Sequence, residues 1–218
     1  MKRILCYGDS NTWGFAPELY DNLHNAPCRY APDIRWTGRL AKALGQKYTV
    51  IEEGFNGRTT VFDDPTAPGR NGQAFLEVAF RTHEPLDLIL IMLGTNDTKD
   101  LFSAPPVSIA SGMERLVKEL SVSLRSSVSW KAKILIAAPI VVQPTLTGEY
   151  LYGFSEVSTG KSAMLPALYS AIADRYGVAF VDISAVAKPG ALDGVHLDPQ
   201  GHASVASAME QRIRALLA

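Results

Sequence analysis

The chain has 218 residues, 47% of them apolar and 20% charged, and its 21 basic and 22 acidic side chains leave a net charge of −1. That balance excludes a disordered chain and leaves no basic field to hold nucleic acid or an anionic membrane surface. Cys6 and Cys28 are the only cysteines, too few for a disulfide framework or a cysteine-rich zinc site.

Short β-rich runs alternate with longer helical patterns. Ile4–Tyr7 predicts a first strand closed by Gly8, and as an apolar stretch it is far too short for a signal peptide. Arg35–Leu44 follows, with Trp36, Leu40 and Leu44 spaced by four on one helix face. Tyr48–Glu52 predicts a second strand. Ala74–Thr82 predicts a helix, with Phe75, Val78, Ala79 and Thr82 at the spacing of one face. Leu86–Leu93 is nearly all apolar, as in a central strand covered on both faces. Pro106–Leu124 puts Ile109, Met113, Leu116, Val117, Leu120 and Leu124 on one stripe. Lys133–Ala138 predicts a fourth strand, Ser162–Tyr176 a helix stopped by Gly177, and Val178–Ile183 a fifth strand. Asp198 and Pro199 read as the N-cap and first residue of a last helix, with Val205, Met209, Ile213 and Leu216 inward.

Such alternation implies right-handed crossovers and a parallel sheet with helices on both faces. Five strands suit a flavodoxin-like α/β fold, a three-layer α/β/α sandwich. No linker, repeat or low-complexity tract divides it, so residues 1–218 read as one domain. No run approaches the ~20 apolar residues of a membrane span, and the expected setting is the cytoplasm with reduced thiols. Two long loops, Phe15–Pro32 and Pro139–Gly160, are expected to be functional. The active site of such a fold lies beyond the carboxyl ends of its strands.

Four blocks sit at those ends. Gly8-Asp9-Ser10 follows the first strand, where a serine is either exposed over the sheet edge or a plain helix N-cap. Gly54-Phe55-Asn56-Gly57-Arg58 follows the second; a glycine there lets a backbone N–H approach a ligand, or simply makes a turn. Gly94-Thr95-Asn96-Asp97 follows the third, and its asparagine is an oxyanion donor or an Asx-turn. Asp193-Gly194-Val195-His196 precedes the last helix and spaces a carboxylate to reach back to the imidazole. His24, His83 and His202 read as surface or satisfied core residues. Together the blocks supply a nucleophile, an acid, a base and oxyanion donors at one sheet edge. Their order, Ser, Asp, His, is also that of the α/β hydrolases, whose G-x-S-x-G elbow is absent here.

These blocks resemble, in order and across almost the whole chain, those of the GDSL/SGNH hydrolases. The residues that name that family correspond to Ser10, Gly57, Asn96 and His196. Ser10-Asn11-Thr12-Trp13-Gly14, Ile34-Arg35-Trp36-Thr37-Gly38, Arg58-Thr59-Thr60, Asp63-Asp64-Pro65-Thr66 and Met92 to Lys99 are similar to its bacterial arylesterase/acyltransferase branch. The resemblance implies an SGNH hydrolase fold and a serine esterase of small aryl or short-chain acyl esters. Ser10, Asp193 and His196 would be its triad, and Ser10 and Gly57 N–H with the Asn96 amide its oxyanion hole. It also implies acyl transfer to alcohols or peroxide, no metal or other cofactor, and a homo-oligomer. Asn11 stands where the family usually has leucine, which implies a more polar pocket wall beside Ser10. Asn11, Trp13, Thr95 and Val195 are assigned to substrate binding. Phe15 is a further candidate for the pocket, and Tyr150, Tyr152 and Phe154 suit either its wall or an oligomer contact. Asp9 and Asp97 are expected to be structural caps. The alternatives are a carbohydrate or lipid acyl esterase or thioesterase of the same family, a flavodoxin-like phosphate or nucleotide-binding module, and a metal phosphoesterase using Asp9, Asp97, Asp193 and His196. Against the phosphate-binding module, neither G-x-G-x-x-G nor a Walker lysine is present.

Overall fold

The computed structural model describes residues 1–20 and 26–218. Five strands, β1 (Lys2–Gly8), β2 (Tyr48–Gly54), β3 (Leu88–Met92), β4 (Lys133–Ala138) and β5 (Ala179–Asp182), pair in parallel in the order β2-β1-β3-β4-β5. The helices are α1 (Ser10–Trp13), α2 (Trp36–Leu44), α3 (Gly72–His83), α4 (Pro106–Arg125), α5 (Glu156–Tyr176) and α6 (Pro199–Leu216). The chain is therefore an α/β protein with the doubly wound strand order, as the alternation predicts.

Strand alternation explains the layers. Leu5, Tyr7, Ile89, Ile91, Ile134 and Ile136 face one side, against the apolar stripes of α3, α4 and α5. Ile4, Cys6, Leu88, Leu90, Met92 and Leu135 face the other, against α2 and α6. Each buried leucine or isoleucine contributes about 1.5–3 kcal/mol relative to exposure, so both helical layers are held mainly by the faces of β1, β3 and β4. Among the described residues no helix is long and apolar enough to cross a membrane.

Two expectations need correction. Helix α3 buries Leu76, Ala79 and Phe80, whereas Phe75 (44%), Val78 (60%) and Thr82 are exposed. Two apolar triplets share the same helical spacing about one residue apart, and the one holding the bulkier Leu76–Phe80 pair faces the core. Helix α5 starts six residues before the expected Ser162. Ser155 and Ser158 form a reciprocal capping box, Ser155 N–H donating to Ser158 Oγ at 3.1 Å, and Gly160 is carried inside the helix. The preceding loop thus ends at Ser155, and Pro17–Leu19 in the first long loop forms a short 3-10 turn.

In this strand order the crossovers from β1 and β3 diverge to opposite sides, which opens a crevice at the carboxyl ends of those two strands. Gly8 pairs with Met92 and with Gly54 across the ladders, so the segments after β1, β2 and β3 leave the sheet at one level.

Candidate active site

Ser10 leaves β1 through a turn that only glycine fits. A Cβ on Gly8 would lie 2.1 Å from Thr12 Oγ1 and 2.9 Å from Met92 O. Asp9 then caps α1, its Oδ1 accepting from Asn11 N–H at 2.9 Å, and Ser10 becomes the first helical residue.

The opposite wall is the segment between β5 and α6. Asp193 Oδ1 accepts from the N–H groups of Val195 (3.0 Å) and His196 (2.9 Å), folding the carboxylate back onto its own loop. Gly194 takes φ +70°, and a Cβ there would stand 1.9 Å from Gln143 O. Asp193 Oδ2 is left facing His196 Nδ1 at 2.6 Å, and His196 Nε2 lies 2.9 Å from Ser10 Oγ. Asp193, His196 and Ser10 are each less than a tenth exposed. Burial pushes the Asp193 carboxyl up, but the hydrogen bond and charge of His196, with the two backbone donors, more than offset it and hold Asp193 below the usual carboxylate range. An ionised Asp193 fixes the proton on Nδ1, so Nε2 is free to accept from the serine hydroxyl. Phe15 lies over the imidazole at a centroid distance of 4.2 Å, and Tyr152 meets it edge-on at 5.7 Å.

The second and third blocks converge on the same edge. Gly57 takes φ +81° in a turn held by Phe55 N–H to Gly8 O (3.1 Å) and Arg58 N–H to Phe55 O (3.1 Å). Asn96 Nδ2 donates to Arg58 O at 3.1 Å, which fixes one amide hydrogen and leaves the second. The backbone N–H groups of Ser10 and Gly57 donate to no group among the described residues.

Arg58 is the residue whose role the sequence reading missed. Its guanidinium lies over the Tyr7 ring at 4.1 Å and donates to Gly8 O (2.9 Å) and Glu53 O, while its carbonyl holds Asn96. One residue thus ties together the ends of β1 and β2 through its side chain and of β3 through its carbonyl. The signal was an arginine next to the glycine of the second block; nothing in its spacing said that it points inward.

The four residues assigned to substrate binding fall differently. Trp13 is half-buried, with Arg29 over its ring at 5.4 Å. The other three are buried. Val195 packs against Val142 and Phe154. Thr95 is 2% exposed, with its hydroxyl toward the Asp9 carboxyl. Asn11 is 4% exposed, and its amide is engaged by the backbone of the histidine loop. Each lies inside the packing behind the catalytic edge, because neighbours of a residue at a turn point away from it. Asp9 and Asp97 act as the expected caps. Asp97 accepts from the Thr60 N–H (2.9 Å) and hydroxyl, and its full burial pushes its carboxyl up to about 6 despite those donors. His83 meets Glu53 at 2.8 Å, and the fully buried His202 accepts from Trp36 N–H at 3.1 Å. His24 lies outside the described residues.

A cavity of about 220 Å³ opens at His196, lined also by Pro17, Glu18, Tyr30, Leu192 and Asp198. A larger one of about 710 Å³ lies over α3 and α4 and touches none of the four blocks. Among the described residues no group of three or more His, Cys, Asp or Glu is placed to hold a metal ion.

A family model described as the GDSL-like lipase/acylhydrolase family matches residues 6–204. Among solved structures, the aryl esterase of M. smegmatis is 39% identical, with a TM-score of 0.90 over 99% of this chain and 100% of its own. A carbohydrate acetylesterase from Sinorhizobium meliloti is 36% identical, with a TM-score of 0.87 over 99% of this chain and 100% of its own. The lipase/acylhydrolase from Enterococcus faecalis, at 14% identity and a TM-score of 0.68 over 99% of this chain and 96% of its own, shares the fold. No curated protein matches the chain.

Proposed function

The chain belongs to the GDSL-like lipase/acylhydrolase family, and from that premise we propose that this carboxylic ester hydrolase cleaves small aryl or short-chain acyl esters through an acyl-enzyme on Ser10. The observation that carries the reading is the continuous line from Asp193 Oδ2 through His196 to Ser10 Oγ, at 2.6 and 2.9 Å.

His196 Nε2 takes the hydroxyl proton as Ser10 Oγ attacks the ester carbonyl, and ionised Asp193 stabilises the imidazolium. The carbonyl oxygen becomes an oxyanion. Ser10 and Gly57 N–H and the second Asn96 amide hydrogen receive it, each donor worth about 3–4 kcal/mol of barrier. His196 then gives its proton to the leaving alcohol. Water, deprotonated by the same histidine, attacks the acyl-enzyme and releases the acid. An alcohol or hydrogen peroxide in place of water yields a new ester or a peracid. No step calls on a metal. The whole chain acts as one domain, because its blocks span residues 8–196 and serve one edge.

The cavity of about 220 Å³ at His196 is lined by Asp193 and His196 and not by Ser10, Gly57 or Asn96, so it offers room beside the base for part of a small ester. A second reading, an O-acetylated carbohydrate as substrate, draws support from the Sinorhizobium meliloti relative. The polar Glu18, Tyr30 and Asp198 lining that cavity favour it too. The two free cysteines suit a reducing, cytoplasmic setting, and half-exposed Tyr152 suits a homo-oligomer contact beside the site.

The test is hydrolysis of 4-nitrophenyl acetate with and without EDTA, together with labelling of Ser10 by a fluorophosphonate. Activity should survive EDTA and vanish, with the labelling, in Ser10→Ala. Full activity in Ser10→Ala refutes the mechanism.

A further inference from the structure

We propose that Asn11 is a positioning residue that holds His196 against Ser10 by clamping the backbone on both sides of the histidine. The proposal rests on the Ser10–His196 mechanism above and adds a component to it.

Asn11 Nδ2 donates to Val195 O at 3.2 Å, and Asn11 Oδ1 accepts from Leu197 N–H at 2.8 Å. One planar amide therefore pairs with the carbonyl before His196 and the N–H after it, as an adjoining strand would. The clamp itself is anchored. Asn11 N–H donates to Asp9 Oδ1 at 2.9 Å, and Asn11 O accepts from Trp36 Nε1 at 3.0 Å. All four polar groups of a residue only 4% exposed are engaged. Ser10 precedes it directly, so a rigid path of one peptide unit and one amide links residues 186 positions apart in sequence.

The chemistry explains why such a path is needed. The Asp193 turn fixes the imidazole relative to its own loop and not relative to the nucleophile. The Nε2–Oγ hydrogen bond cannot do that throughout the cycle, because acylated Ser10 has no hydroxyl hydrogen to donate. His196 must still stand in place to deprotonate the water that ends the cycle. Phe15, at 4.2 Å, restrains the ring from one side, and the Asn11 amide restrains the backbone that carries it. Leucine, the usual family residue here, has similar volume and can make neither bond.

Asn11→Leu, which keeps the bulk, and Asn11→Asp, which keeps the acceptor for Leu197 N–H, test this with 4-nitrophenyl acetate and the fluorophosphonate probe. A misplacement of about 1 Å costs on the order of a hundredfold in rate. The expected result is kcat lowered about tenfold to a hundredfold, KM held within about twofold, and Ser10 labelling slowed in step with kcat. Leu44→Ala, at the far end of α2, provides a stability control: it should lower Tm and leave kcat unchanged. A soluble Asn11 variant with kcat and labelling within about threefold of wild type overturns the clamp, whatever its Tm. If wild type itself resists labelling, the failure lies with the nucleophile.

Discussion

Asn96→Ala separates the oxyanion donor from its structural duty. One Nδ2 hydrogen is spent on Arg58 O at 3.1 Å, in a residue 5% exposed. Removing the amide thus has two costs that appear in different measurements. The second hydrogen is used only when the carbonyl oxygen becomes an anion, and loss of one such donor costs about 2.7–4 kcal/mol, or 10²–10³ in kcat. An interaction made only in the transition state leaves KM nearly unchanged. The first hydrogen satisfies a carbonyl beside the β1 and β2 ends, and leaving it unpaired costs about 1–3 kcal/mol of stability. For a chain of this size that lowers Tm by roughly 2–12 °C. Steady-state hydrolysis of 4-nitrophenyl acetate well below the variant's Tm gives the first number, and thermal unfolding gives the second. A variant that keeps a third or more of the wild-type kcat refutes the assignment, because no donor in the reaction path is that cheap. A variant that loses Tm and keeps kcat shows Asn96 to be a strut for Arg58.

Burial sets the pH dependence of two further variants, and backbone geometry sets the stability of a third. The Asp97 carboxyl is pushed up to about 6 against 3.8 in the unfolded chain. The folded state therefore binds the extra proton, and the stability from this group is full below about 4 and lost as pH rises through about 6; urea unfolding at pH 5 and 8 should show a smaller drop in Asp97→Asn, and an equal drop contradicts the linkage. His202 runs the other way: burial, with the charges of Arg39, His196 and Arg35, lowers it to about 3 from 6.5. Its contribution is full above about 6.5 and lost as pH falls toward 3, and His202→Asn, which keeps an acceptor for Trp36 N–H, should lose less stability between pH 7 and 4. Gly57→Ala should lower Tm by roughly 4 °C from the left-handed backbone alone. Its Cβ would also stand 2.5 Å from Arg70 Nε, so Arg70→Ala in the same chain should recover only the part due to the clash; an unchanged Tm in the single variant contradicts the turn geometry.

The five strands, the two helical layers and the four blocks were legible because each rests on local signals: apolar runs of strand length, helical spacing and glycine at strand ends. The face of α3 was not, since Phe75–Val78 and Leu76–Phe80 satisfy the same period and only tertiary volume separates them. The start of α5 was hidden by Gly160, a poor helix former kept helical by the Ser155–Ser158 box and the packing beyond it. At the site, residue types pointed to the groups at the strand ends and said nothing of how deeply their neighbours are buried. Asn11, Thr95 and Val195 adjoin catalytic positions in sequence but turn into the protein, and Asn11 and Arg58 make contacts across 184 and 50 positions that no local spacing reveals.

The reach between Ser10 and His196 has a consequence for the making of the protein. The serine is synthesised near the start of the chain, and the histidine 186 residues later, a delay of roughly 10–40 s at about 5–20 residues per second. The base arrives on the loop that leads into α6. On the mechanism proposed above, a nascent chain that has not yet reached Asp193 and His196 carries a nucleophile with nothing to activate it. A nucleophile made early therefore waits until residues 193–196 have been made and folded against it.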